Sequence, residues 1–250
     1  QKYSGGFARF LNDLTYGKFF KEQIELTISA SDEGVAGIDR IEYRFYNADT
    51  DTYSEWMRYS DSNKPVQNPN FRGYAEARAT DHAANTSATY TSEGFVIDNV
   101  RPADVQISAT YNGADYNSGA WVAGNVELTL DSSAYSGIYA YYYRVDGGEW
   151  TQLSDNTLTA SEEGRHVYEF KAESNSSMES YETMQVVQID TQKPVIRVTF
   201  DGTFGRWTSD GVRFNFATEE DSLSGITYYY NNGTGWQEFD GAELFIDWNT

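Results

Sequence analysis

A strand-and-turn motif that recurs three times constrains this chain more than any other feature. Gly119, Trp121, Val126 and Leu128 return without gaps as Gly205, Trp207, Val212 and Phe214, and upstream as Gly17, Phe19, Ile24 and Leu26. Its second half, Ile24-Glu25-Leu26-Thr27-Ile28 or Val126-Glu127-Leu128-Thr129-Leu130, alternates apolar with polar residues. A strand with one face on a core and the other in water has this period of two. Each copy continues with Gly-Ile and alternating large residues: Gly37-Ile38 leads to Ile41, Tyr43 and Phe45, and Gly137-Ile138 to Tyr141, Tyr143 and Val145. The third copy, Gly225-Ile226, is one residue shorter and reaches Tyr228 and Tyr230. A turn follows, then Trp with a large apolar residue three positions on: Trp56 with Tyr59, Trp150 with Leu153, Trp236 with Phe239. Asp146-Gly147-Gly148 and Asn232-Gly233 supply the turn residues that accept positive φ.

Two crossings share Ile-Asp-x-x-basic-Pro: Ile97, Asp98, Arg101 and Pro102, then Ile189, Asp190, Lys193 and Pro194. Pro ends a ladder and stiffens the chain, so these segments read as domain boundaries. Asp190 follows Asp98 by 92 residues, the length of an immunoglobulin-like sandwich. The expectation is an all-β chain of tandem β-sandwiches over 1–99, 100–191 and 192–250. The last is C-terminally incomplete, because 40 residues separate Trp150 from Asp190 but only 14 separate Trp236 from Thr250. Short Pro-containing crossings predict small contacts between successive sandwiches. Phe7, Phe10, Leu11 and Leu14 depart from the strand pattern at helical spacing. They predict a short helix over 6 to 15, with an irregular aromatic loop as the alternative.

Composition narrows the function. Lys and Arg number 18 against 38 Asp and Glu, a formal charge of -20 that repels phosphate backbones and anionic lipid headgroups. Nucleic acid and membrane are therefore excluded as expected partners. The chain has no Cys, so no disulfide, thiolate nucleophile or zinc-thiolate site is available. No apolar run approaches the ~20 residues of a membrane span, and the N-terminus has no signal-peptide pattern. The sequence is thus either cytosolic or an interior stretch of a longer protein.

The run Gly119-Ala120-Trp121 through Val126-Glu127-Leu128 to Ser136-Gly137-Ile138, then Asp146-Gly147-Gly148-Glu149-Trp150, resembles the bacterial Ig-like repeats of Gram-positive surface proteins and secreted carbohydrate-active enzymes. Arg78-Ala79-Thr80-Asp81-His82-Ala83-Ala84-Asn85 is similar to the turn of that family, with Ala84 in place of its Gly. Residues 10 to 21 resemble an entry segment seen in repeats of anaerobic Firmicutes surface proteins. The second unit departs at Lys171-Ala172-Glu173-Ser174-Asn175-Ser176-Ser177-Met178, which lacks the Asp and Gly of that turn. The resemblance implies extracellular modules acting as spacers or adhesive stalks, with no catalytic residue to carry over.

The candidate sites are read on the same footing. His82 and His166 fall in different units, so no Ser/His/Asp or His-metal cluster is indicated and no catalytic residue is assigned. Carboxylates are plentiful enough for a glycosidase pair, so a fragment of a secreted carbohydrate-active enzyme stays as an alternative. Asp98, Asp104, Asp190 and Asp201 at the junctions, with Asp32, Glu33, Glu219, Glu220 and Asp221 in loops, carry the hard oxygens that Ca²⁺ takes. Their spacing fits no calcium motif, and the expectation is no metal site, no cofactor, and local hydrogen bonds to Asp98 and Asp190. Alternation places Tyr142, Arg144 and Tyr229 on the outer sheet face, where they either stack on a glycan or protein ligand or pair across strands. The sequons at Asn85, Asn175 and Asn232 carry no expected meaning. The expected cores are Ile24, Leu26, Ile28, Ile41, Tyr43 and Trp56, and Val126, Leu128, Leu130, Tyr141, Tyr143 and Trp150; the recurring tryptophans, Trp236 included, are read as core or core-edge residues.

Overall fold

The computed structural model describes residues 18–202, 206, 211–218 and 223–246. The stretch 6 to 15, Gly17, Gly205, Trp207, Glu219, Glu220 and Asp221 lie outside the described residues. Regular structure in the described residues is all β-strand, and the strands form immunoglobulin-like sandwiches in tandem.

The first sandwich has a sheet ordered Phe19–Phe20, Phe95–Ile97, Phe71–Asp81, Ile38–Asn47 and Thr52–Tyr53, with Met57–Arg58 and Tyr90–Thr91 as side pairings. Its other layer is the ladder of Ile24–Glu25 with Val66–Gln67. Phe45, Phe71, Ala75, Phe95 and Ile97 form the core, on which Ile24, Leu26 and Tyr43 pack. The second sandwich has one sheet ordered Ala114–Asp115, Gln106–Tyr111, Val126–Asp131 and Thr157–Ala160. Its other sheet is ordered Trp121–Val122, Thr183–Ile189, Gly164–Ser174, Ile138–Val145 and Thr151–Gln152. Beyond it, Ile196–Phe200, Val212–Thr218 and Glu243–Ile246 form a three-stranded sheet, and Tyr228–Asn231 pairs with Trp236–Phe239. By compactness the chain divides into two units, Gln1–Ser108 with Thr129–Thr157 and Tyr168–Met184, and Ala109–Leu128 with Leu158–Val167 and Gln185–Thr250.

The repeated Gly-x-aromatic entry makes a parallel edge strand. Phe19 and Phe20 pair with Val96 and Ile97, as Trp121 and Val122 pair with Gln188 and Ile189. Each sandwich thus ties its early chain to its own last strand just before the crossing.

Alternation sets the core of the second sandwich. Val126, Leu128 and Leu130 are 0% exposed, and the residues between them are exposed. Each such burial stabilises by about 1.5–3 kcal/mol. In the first sandwich Ile24, Leu26, Ile28, Ile41 and Tyr43 are only half-buried, as are Tyr141 and Tyr143 in the second. The expected register holds, but Trp56 and Trp150 do not belong to the core. Both are half-buried, and they lie against cationic side chains of the outer sheet face, as described next.

Candidate functional site

Strand alternation sends Glu42, Arg44 and Tyr46 outward from Ile38–Asn47, and the neighbouring strand contributes Tyr74, Glu76 and Arg78. Cross-strand pairing sets Glu42 opposite Arg78, Arg44 opposite Glu76, and Tyr46 opposite Tyr74. Arg44 Nε donates to Glu76 Oε2 at 2.7 Å and Arg78 Nε to Glu42 Oε2 at 3.1 Å. Trp56 is held between two cations, with the guanidinium carbons of Arg44 and Arg78 at 4.7 and 4.2 Å from its ring. Tyr46 stacks on Tyr74 with centroids 4.7 Å apart, and the Tyr53 and Tyr74 hydroxyls bond at 2.7 Å.

The second sandwich repeats this arrangement. Arg144 stands opposite Glu169 and Tyr142 opposite Lys171. Arg144 donates to both oxygens of Glu169 at 2.9 Å and to Glu182 at 3.0 Å. Trp150 again sits between cations, Arg144 at 4.6 Å and Lys171 at 4.8 Å. Tyr142, the outward tyrosine singled out from the sequence, donates its hydroxyl to Glu173 Oε2 at 2.8 Å. It is a cross-strand partner on this face. The signal that would have placed the tryptophans was the outward Arg44 and Arg144 at matched positions, since a Trp ring attracts a cation.

Burial, then the hydrogen bond to Glu173 and its charge, push the Tyr142 phenol up to about 12. Its ordinary value is 10.0, so between these pH values the unfolded chain loses this proton while the folded one keeps it. Stability from this group is present below pH ~10 and is lost as pH rises through about 12. Absorbance titration of the phenolates should show a group of late-titrating tyrosines, Tyr74 and Tyr135 among them, whose amplitude Tyr142→Phe reduces by one phenol. A Tyr142→Phe variant with an unchanged alkaline limb would contradict the assignment.

The third copy departs. Asn231 takes the position of Arg44 and Arg144, and its Oδ1 accepts the turn N–H groups of Gly233 and Gly235 at 2.8 and 3.3 Å. Without that cation, Trp236 is 75% exposed and Tyr229 is 51% exposed. Tyr228, Tyr230 and Phe239 cluster on the opposite face with Phe216.

The turn of the Asp81 segment is preserved in the second sandwich despite its altered residues. Asn85 N–H donates to Asp81 Oδ1 at 2.7 Å, and Met178 N–H to Ser174 Oγ at 3.2 Å. Ala84 and Ser177 take the same positive φ, 67° and 60°. A serine hydroxyl replaces the carboxylate as the turn acceptor. The next residue of each turn bonds the Gly-Ile segment, His82 N–H to the Gly37 carbonyl at 3.1 Å and Asn175 N–H to the Gly137 carbonyl at 3.0 Å.

The junction aspartates are hydrogen-bond acceptors. Val100 N–H donates to Asp98 Oδ1 at 3.0 Å and Gln192 N–H to Asp190 Oδ1 at 3.2 Å. Asp32 Oδ1 caps Gly34 N–H at 2.8 Å, while Glu33, Asp104 and Asp201 are exposed. Among the described residues no three His, Cys, Asp or Glu side chains are grouped to hold a metal ion. His82 is exposed, 3.9 Å from Asp39, and His166 Nε2 lies 2.9 Å from the Glu163 carbonyl oxygen. The Asn175 amide, a sequon position, donates to the Ser136 carbonyl at 2.7 Å.

No family model and no curated protein matches the chain. Among solved structures it is similar to the fibronectin(III)-like modules of CbhA from Clostridium thermocellum, at 14% identity over 69% of this chain and 88% of that one, with a TM-score of 0.29. It is also similar to the FN1–FN3 domains of chicken CNTN1, at 12% identity over 91% of this chain and 84% of that one, with a TM-score of 0.27.

Proposed function

We propose that this chain is a non-catalytic stretch of Ig-like repeats, over 1–99, 100–191 and 192–250, that acts as a structural spacer and interaction module of a bacterial protein displayed outside the cell. One observation carries the reading. The same outer face is built twice in the same register, and its carboxylates bond its own cations and phenol. Such a face braces a sheet instead of offering its polar groups to a ligand. The net charge of -20 accords with a partner that is neither nucleic acid nor an anionic membrane. A glycan array and a pull-down with the whole chain should find no saturable ligand; a specific binder would overturn the spacer reading.

An adhesive module is the second reading, favoured by Trp236 and Tyr229, which are exposed in the third copy. Under it, a glycan or protein ligand binds and Trp236→Ala abolishes binding. In both readings the junctions bind no calcium, because both oxygens of Asp98 and of Asp190 accept N–H donors. Millimolar calcium should leave the melting temperature within ~1 °C, whereas a rise of several degrees reversed by chelator would reveal a site.

A further inference from the structure

The two linker aspartates make the same pair of bonds, and the second bond of each reaches far along the chain. Asp98 Oδ2 accepts the N–H of Ser136 at 2.9 Å, and Asp190 Oδ2 accepts the N–H of Ser224 at 3.0 Å. Ser136 and Ser224 are the Ser of Ser-Gly-Ile in the unit that follows. Each aspartate is also tied backward, for Asp98 N–H donates to the Phe20 carbonyl and Asp190 N–H to the Val122 carbonyl, at 2.8 and 2.9 Å. Phe20 and Val122 are the matching residues of the parallel edge strand in the preceding unit. The backbone of each aspartate is thus fixed to one repeat and its carboxylate to the next.

We infer that the aspartate of Ile-Asp-x-x-basic-Pro is a coupling joint, the same at both crossings, that fixes the orientation of each repeat on its predecessor. This deepens the spacer reading and rests on it. A carboxylate suits the task because it offers two acceptors in one plane, one for the N–H two residues on and one for the Ser N–H. The Gly after each Ser has positive φ, 81° at Gly137 and 83° at Gly225, which shapes the receiving turn.

The first joint is the more enclosed. Asp98 and Ser136 are 0% and 1% exposed, and Asn175 holds the Ser136 carbonyl. Around it, Arg72 donates to the Tyr135 carbonyl at 2.5 Å and lies 4.8 Å from that ring, and Tyr135 donates its hydroxyl to Asp49. Arg101, the basic residue of the linker, donates to the Glu179 carbonyl at 2.8 Å and lies 5.0 Å from the Tyr181 ring. The expected small contact at this crossing therefore includes a buried polar network. At the second joint the Ser224 hydroxyl adds a bond to Asp190 Oδ2 at 2.6 Å.

The chain has no Cys, so spin labels can be placed through Asn63→Cys, Ser154→Cys and Asp240→Cys, all at exposed positions. Distance distributions from pulsed electron resonance then read each crossing separately. Asp98→Ala should broaden the 63–154 distribution about twofold and leave 154–240 unchanged, and Asp190→Ala should do the reverse. Asp98→Asn keeps the size but turns an amide N–H₂ toward one N–H donor, so it too should broaden the first distribution; it serves as the reading if the alanine variant fails to fold. Folded variants with unchanged widths at both crossings would overturn the joint while leaving the spacer reading intact. A ligand found on an array would do the opposite.

Discussion

Phe170→Ala should destabilise the second sandwich by about 3–5 kcal/mol, the range for deleting a fully buried aromatic side chain. Phe170 is 0% exposed on Gly164–Ser174, and its strand stands between Ile138–Val145 and Thr183–Ile189 in the sheet. Walls made of paired strands relax little, so the cavity stays open. In a domain of ~100 residues this loss lowers the melting transition by more than about 10 °C. Ile28→Ala in the first sandwich removes a side chain that is only half-buried, and its cost should be roughly 1 kcal/mol. Scanning calorimetry on the whole chain resolves the two, since successive domains need not melt as one transition. If Phe170→Ala moved no transition by more than a few degrees, its place in the core would be wrong.

Gly73→Ala should cost the first sandwich about 3 kcal/mol or more, beyond the usual overpacking penalty, because the obstacle is backbone. Gly73 pairs with Asn47 on one side and Phe95 on the other. A Cβ there would fall on the Tyr46 carbonyl oxygen and lie 2.7 Å from the Phe71 ring edge. Neither strand can retreat without breaking its ladder. Gly113→Ala is the control: nothing lies within 4 Å of its Cβ, and its φ of +79° leaves only conformational strain, about 1 kcal/mol. Equal melting temperatures for the two variants would show that the Gly73 contact is relieved cheaply.

The period-two signal determined the strands and their inward faces, because one-sided burial leaves no other arrangement for Val126, Leu128 and Leu130. Recurrence likewise marked the Gly-x-aromatic entry, the Gly-Ile segments and the aspartate linkers, whereas the parallel edge pairing of the entry is decided by the sheet. Periodicity alone misplaced Trp56 and Trp150. Their recurrence argued for a core, but a tryptophan between two cations is equally well satisfied on an outer face, and which cations reach it depends on cross-strand register.

The Asp98 and Asp190 bonds were half legible. The N–H two residues on is local and could be anticipated, whereas the Ser N–H lies 38 residues ahead in one case and 34 in the other. No local pattern encodes that reach, since the intervening strands first have to fold and bring the Ser-Gly turn to the crossing. The turn at Ser174 teaches the same point from the other side. Its sequence had lost the expected Asp and Gly, yet the hydroxyl of Ser174 and the positive φ of Ser177 rebuild the same hydrogen bonds. Burial pattern is written residue by residue and can be read directly. Partner choice among polar groups is decided only once the sheets have closed, because many donors and acceptors are chemically equivalent until geometry selects among them.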